Sequence, residues 1–256
     1  MNTTTPNLEQ LAADGLQLSS DVERHVKGQF HGMTLDRDDD FRVFCAATVA
    51  RCIIYFRGVH TLVKSGLVEP AGAVARVMLE HWFVVGAVAK NPELFDALAN
   101  QSAQEHHKAM DALASMLPID RPDWLTPEAI EATRSMVTRP KANSKGNGFS
   151  PKFWADRAGE GETFALIYRR LSSCAHGALH PLDYYVRDGI GDDPPVVRIG
   201  NMHADLAPQL LQISSSVVLG LMGFLVPDTP VPESLVGRVK AYDVLLRELA
   251  EQTPPP

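Results

Sequence analysis

The sequence predicts an all-α fold, a single multi-helix domain over residues 1–256 with at most one short β-hairpin near 183–199. Three observations lead there. Apolar residues recur at helical spacing through most of the chain, helix-start signals repeat along it, and just one segment alternates like a strand. "NLEQLAADGLQLSSDVERHVKGQF" gives a first, polar helix, with a break expected near Gly15 because glycine disfavours helix by about 1 kcal/mol. Aspartates before it and Gly66 after it bracket "DFRVFCAATVARCIIYFRGVHTLVKSG". Glu69 and Pro70 open a helix that runs to about Lys90. Asn91 as N-cap and Pro92 at the first helical position start the next. Thr126–Pro127 and Ser150–Pro151 repeat that device for "TPEAIEATRSMV" and "SPKFWADRAG". Between them, 138–149 is basic and rich in Gly and Asn, and is expected to be a mobile loop.

A helix is expected from about Glu162 through "YRRLSSCAHG". Tyr184–Arg187 and Val196–Ile199 then form the expected hairpin. Two helices finish the chain before a disordered tail at 252–256. The apolar "ISSSVVLGLMGFLV" is expected to fill the core, with a homodimer interface as the alternative.

Composition narrows function. A hydrophobic fraction of 45% and a charged fraction of 21% are those of a soluble globular protein. The net charge of −7 is spread along the chain and excludes a general attraction to nucleic acid, so RNA would need a local patch such as Arg169 and Arg170. Cys45, Cys52 and Cys174 lack metal-type spacing and read as free thiols in a reducing compartment. The N-terminus lacks the basic start and apolar run of a signal peptide. Residues 71–89 are nearly long enough to span a bilayer, but Arg76, Glu80 and His81 are costly in lipid. The expectation is a cytoplasmic protein with no membrane partner.

Two segments carry chemistry. In "ARVMLEHWF", Arg76 and Glu80 lie four apart on one helical face among apolar neighbours. Such a pair either braces a neighbouring helix or lines a polar pocket. In "YRRLSSCAHGALHP", a rotation of about 100° per residue puts Arg169, Ser172 and His176 on one stripe, with Ser173 at its margin. Arg170 falls round the helix, and Leu166, Ile167, Leu171 and Cys174 share the opposite side. His176 and His180 have the spacing of a zinc helix, but Gly177 and Pro181 weaken the helix there. His106 and His107 are neighbours whose side chains diverge. No metal and no cofactor is therefore assigned. Ser172 with His176 lacks the strand–turn–helix elbow of a serine hydrolase.

"ARVMLEHW" together with "YRRLSSCAHG" resembles the two signature segments of the family known as domain of unknown function 5677, on Arg76, Glu80, Ser172 and His176. The resemblance covers about residues 40–225 and implies an all-α fold, with no activity attached. A broader resemblance is to the HEPN superfamily, whose ribonucleases carry Arg, four to six residues, then His in a helical bundle. Arg170 and His176 have that spacing, as do Arg169 and His176. Leu171 follows Arg170 where that superfamily has a polar residue, whereas Arg169 is followed by Arg170 and agrees better. The resemblance implies a homodimeric, metal-independent RNA-cleaving enzyme of toxin or phage-defence type, with His176 moving protons and Arg holding phosphate. The alternative is a non-catalytic protein binding a small-molecule ligand or partner through a polar pocket of Arg76, Glu80, Ser172 and His176. A third reading makes these four a buried network that sets helix register.

Overall fold

Helix α1 (Leu8–Phe30) starts where the Asn7 side chain accepts the Gln10 amide at 2.7 Å. A computed structural model describes residues 7–116, 126–135, 149–175, 186–187, 196–197 and 205–252. The expected break at Gly15 does not occur; α1 runs unbroken for 23 residues. Tertiary packing overrides propensity there. A Cβ at Gly15 would collide with the Tyr242 hydroxyl and meet Leu211 Cδ1 at 3.0 Å. The same hydroxyl donates to the Leu11 carbonyl at 2.5 Å, so the glycine admits the residue that ties the C-terminal helix to α1.

Asp39 accepts the Arg42 amide at 2.9 Å to begin α2 (Asp40–Lys64). Gly66, at φ 76°, ends it as the left-handed residue of a Schellman motif: its amide reaches the Val63 carbonyl at 2.9 Å and that of Leu67 reaches Leu62 at 2.8 Å. Helix α3 (Val68–Lys90) follows after one short turn. Asn91 was expected to open the next helix, but it closes α3. Its side-chain amide donates back to the Ala87 carbonyl at 3.1 Å, and α4 (Leu94–Ala114) begins three residues later.

Thr126 and Ser150 cap α5 (Pro127–Ser135) and α6 (Pro151–Ala158) as expected, each accepting an amide at 3.2 Å. The last long run before the hairpin is one continuous rod in three parts. They are α7 (Gly161–Thr163), a π-helical turn (Phe164–Tyr168) and α8 (Arg169–Ala175). Strands β1 (Val186–Arg187) and β2 (Val196–Val197) pair antiparallel, Val186 opposite Val197, within the expected hairpin region. Helices α9 (Leu206–Leu225) and α10 (Glu233–Gln252) complete an all-α fold. Helix α10 thus includes Gln252, the first residue of the expected tail. Residues 138–148 of the expected mobile loop lie outside the described residues, and Phe149 stacks on Phe153 at 4.3 Å.

Helix α3 is central. It packs against α2, α6, α8 and α9, and α9 in turn packs against α1, α2 and α10. Phe56, Met78, Phe83, Leu210, Leu211 and Leu221 fill the space between them and are essentially inaccessible. The apolar "ISSSVVLGLMGFLV" segment therefore lies in the core. Gly220 lets the Trp82 ring lie against α9, because a Cβ there would sit 2.8 Å from Trp82 Cη2.

The expected cytoplasmic location is corrected by these helices. Asp40–Lys64, Val68–Lys90 and Leu206–Leu225 are each long and apolar enough, by length and composition, to cross a membrane. That points to a membrane rather than to the cytoplasm. Treating Arg76 and Glu80 as isolated charges overstates their cost in lipid, because each is paired with the other.

Candidate functional site

The π turn positions the site. In a π turn the hydrogen bonds run from i to i+5, and here the Arg169 amide reaches the Phe164 carbonyl. The wider turn stacks Phe164 on Tyr168, 4.9 Å apart and 17° from parallel, and both rings lie against Phe83 of α3. It also breaks the simple helical register across the segment. Leu166, expected on the same side as Leu171, is 73% exposed while Leu171 is buried.

Tyr168 is delivered to α3 with its hydroxyl between the two charges. Arg76 Nη2 donates to Tyr168 Oη at 2.7 Å, and Tyr168 Oη donates to Glu80 Oε1 at 2.7 Å. Arg76 Nη2 also meets Glu80 Oε1 at 3.0 Å. The guanidinium carbon lies 5.1 Å from the centre of the Tyr168 ring, adding a cation–π contact. Burial and the hydrogen bond to Glu80 push the Tyr168 phenol above its ordinary range, with Arg76 opposing. Arg76 Nε is buried with no hydrogen-bond partner among the described residues.

Glu80 is shared with a second feature. A groove of about 390 Å³ runs between α2 and α3, lined by Phe44, Ala47, Thr48 and Arg51 on one side and Glu80, His81 and Val84 on the other. Its volume is that of a small-molecule site. Arg51 Nε donates to the Tyr55 hydroxyl at 2.8 Å, and the Tyr55 ring meets His81 edge-on at 5.9 Å. His81 Nδ1 donates to the Val77 carbonyl at 3.0 Å, which leaves Nε2 as the acceptor of the neutral ring.

The other sequence candidates are distributed along α8. Arg169 and Arg170 are both exposed. Arg170 is held by Asp205 at 3.4 Å and Gln209 at 3.3 Å, whereas Arg169 rests over the Phe164 ring at 5.9 Å. Ser172 donates to the Tyr168 carbonyl at 3.0 Å and Ser173 to that of Arg170 at 2.6 Å. His176 and His180 lie outside the described residues. Cys174 packs its sulfur where a side chain at Gly72 would go, and burial, aided by Glu69, pushes its thiol up. Among the described residues no three His, Cys, Asp or Glu side chains gather as metal ligands, and the rings of His106 and His107 stand 89° apart.

Sequence reasoning paired Arg76 with Glu80 but missed Tyr168, Arg51 and His81 as their companions. Tyr168 did leave a trace, as the aromatic residue directly before Arg169. Arg51 left none, being one of three arginines in α2 with nothing in the sequence to set it apart from Arg42 and Arg57.

A family model described as a family of unknown function, DUF5677, matches residues 42–193. No curated protein and no solved structure matches the chain.

Proposed function

The chain belongs to the DUF5677 family of unknown function, and from that premise we propose that it is a non-catalytic helical protein that binds a small ligand in the groove between α2 and α3. One observation carries the reading. Glu80 is fixed by Arg76 and Tyr168 on the groove wall and still leaves 32% of its side chain exposed, so a partly desolvated carboxylate is held ready beside an apolar cleft. Rigid polar groups at the edge of an apolar cavity are how small-molecule sites set orientation. Arg76 and Tyr168 act as positioning residues, and Arg51, Glu80 and His81 form the polar lining of the groove. The test is a thermal-shift screen of small molecules on the full chain in phosphatidylcholine nanodiscs, repeated with Ala47→Trp. Ala47 is exposed on the groove, so the indole fills it without entering the core. Ligands that stabilise the wild type should lose their effect in this variant. Equal stabilisation of both proteins would overturn the proposal.

A second reading has its own support. Arg169 is exposed and has no carboxylate partner among the described residues, while Arg170 is engaged by Asp205. An unpaired guanidinium in the register expected to face His176 suits phosphate binding by a metal-independent, HEPN-like ribonuclease acting as a homodimer.

A further inference from the structure

Resting on the groove proposal, we infer that the ligand is an anionic amphiphile, an apolar chain ending in one carboxylate, with its head on Arg51. Two features of the groove set this chemistry. Phe44, Ala47 and Val84 form an apolar wall, and Arg51, Glu80 and His81 form a polar end. Such a division suits a molecule with one apolar and one polar half.

Charge decides the sign of the head. Glu80 already has two partners, Arg76 and Tyr168, so its negative charge is compensated. Arg51 has no carboxylate partner among the described residues. Its Nε is occupied by the Tyr55 hydroxyl, and the ring of Tyr55 lies 5.5 Å beneath the guanidinium carbon. That bond fixes the plane of the fork and leaves the two terminal nitrogens as a ready pair of donors. A carboxylate matches such a pair in a bidentate fashion. Arg76, outside the lining, offsets Glu80, so Arg51 leaves one positive charge at this end of the groove. A single negative charge neutralises it. A dianionic phosphate would add an uncompensated charge beside Glu80, and a cationic head would meet Arg51 directly.

The experiment uses three probes of equal chain length, octanoate, 1-octanol and octylammonium. Equilibrium binding is measured to the full chain in phosphatidylcholine nanodiscs, with protein-free nanodiscs as the blank. Octanoate should bind more tightly than the other two. Arg51→Gln should weaken octanoate binding by about tenfold or more and leave 1-octanol unchanged. Arg57→Gln should leave both unchanged, because Arg57 lies six residues along α2, outside the groove lining, and pairs with Glu23 at 3.3 Å. Arg51 is exposed, so its replacement does not threaten the fold. Equal affinity for octanoate and 1-octanol, preference for octylammonium, or full octanoate affinity in Arg51→Gln would each overturn the inference. Failure of all three probes while screened ligands still respond to Ala47→Trp would overturn it alone. If Ala47→Trp affects no ligand, the groove proposal falls as well.

Discussion

Tyr168 donates its hydroxyl proton to Glu80 at 2.7 Å across 88 residues of sequence, and the same oxygen accepts from Arg76. The phenol thus joins the π turn to the central helix through two charge-assisted bonds. Tyr168→Phe keeps the ring stack and removes both bonds. It should lower stability by about 2 kcal/mol, measured by chemical denaturation. An unchanged midpoint would mean that the Arg76–Glu80 pair satisfies itself.

The raised Tyr168 phenol makes this link sensitive to base. A group whose folded value lies above its unfolded one contributes stability that is complete below the unfolded value, about 10 for tyrosine. That contribution is lost as pH rises through the higher folded value. The stability gap between wild type and Tyr168→Phe should therefore be constant from pH 7 to 9 and shrink above about pH 10. Tyr242 is also raised by burial, but it is common to both proteins. Melting curves across this range check the sign.

Gly15→Ala should destabilise the protein although alanine is the better helix former by about 1 kcal/mol. The added methyl collides with the Tyr242 hydroxyl, and overpacking of this kind costs about 1–3 kcal/mol. In a double-mutant cycle with Tyr242→Phe, part of the loss should be recovered. Additive losses would place the strain elsewhere, against Leu211.

Under the ribonuclease reading, the chain should cleave single-stranded RNA in the presence of EDTA. His176→Ala should then lower the rate by about a hundredfold or more through loss of the proton-transfer group. Arg169→Ala should follow it closely, and Arg170→Ala should matter less because Asp205 and Gln209 already hold that side chain. The reverse order of the two arginines would remove the register that links Arg169 to His176.

Three helices of spanning length and apolarity predict that the chain sediments with membranes and stays there through an alkaline carbonate wash. Detergent should release it. Recovery in the wash would mean that α2, α3 and α9 use their apolar faces on one another alone.

Signals written within a few residues of one another were legible in the sequence. Thr126 and Ser150 start their helices as read, Gly66 stops α2, and Val186 and Val197 pair where alternation placed a hairpin. Each rests on local chemistry: a side-chain oxygen for an orphan amide, a glycine for a left-handed turn, apolar alternation for a strand. The Arg76–Glu80 pair was legible for the same reason, since four residues is one helical turn. Asn91 shows where local signals become ambiguous, because the same side chain can accept at the start of one helix or donate at the end of another. Here it donates to the Ala87 carbonyl at 3.1 Å.

What only the tertiary structure decided lies at long sequence separation. Gly15 stays helical because Tyr242 fills the space beside it, and Leu166 turns outward because a π turn feeds Tyr168 into α3. Arg51 and Glu80 share a groove because α2 and α3 pack side by side. The physical reason is one of range. Caps, turns and periodicity act between neighbours along the chain and can be read there, whereas which charge meets which partner depends on surfaces that become neighbours when the helices dock.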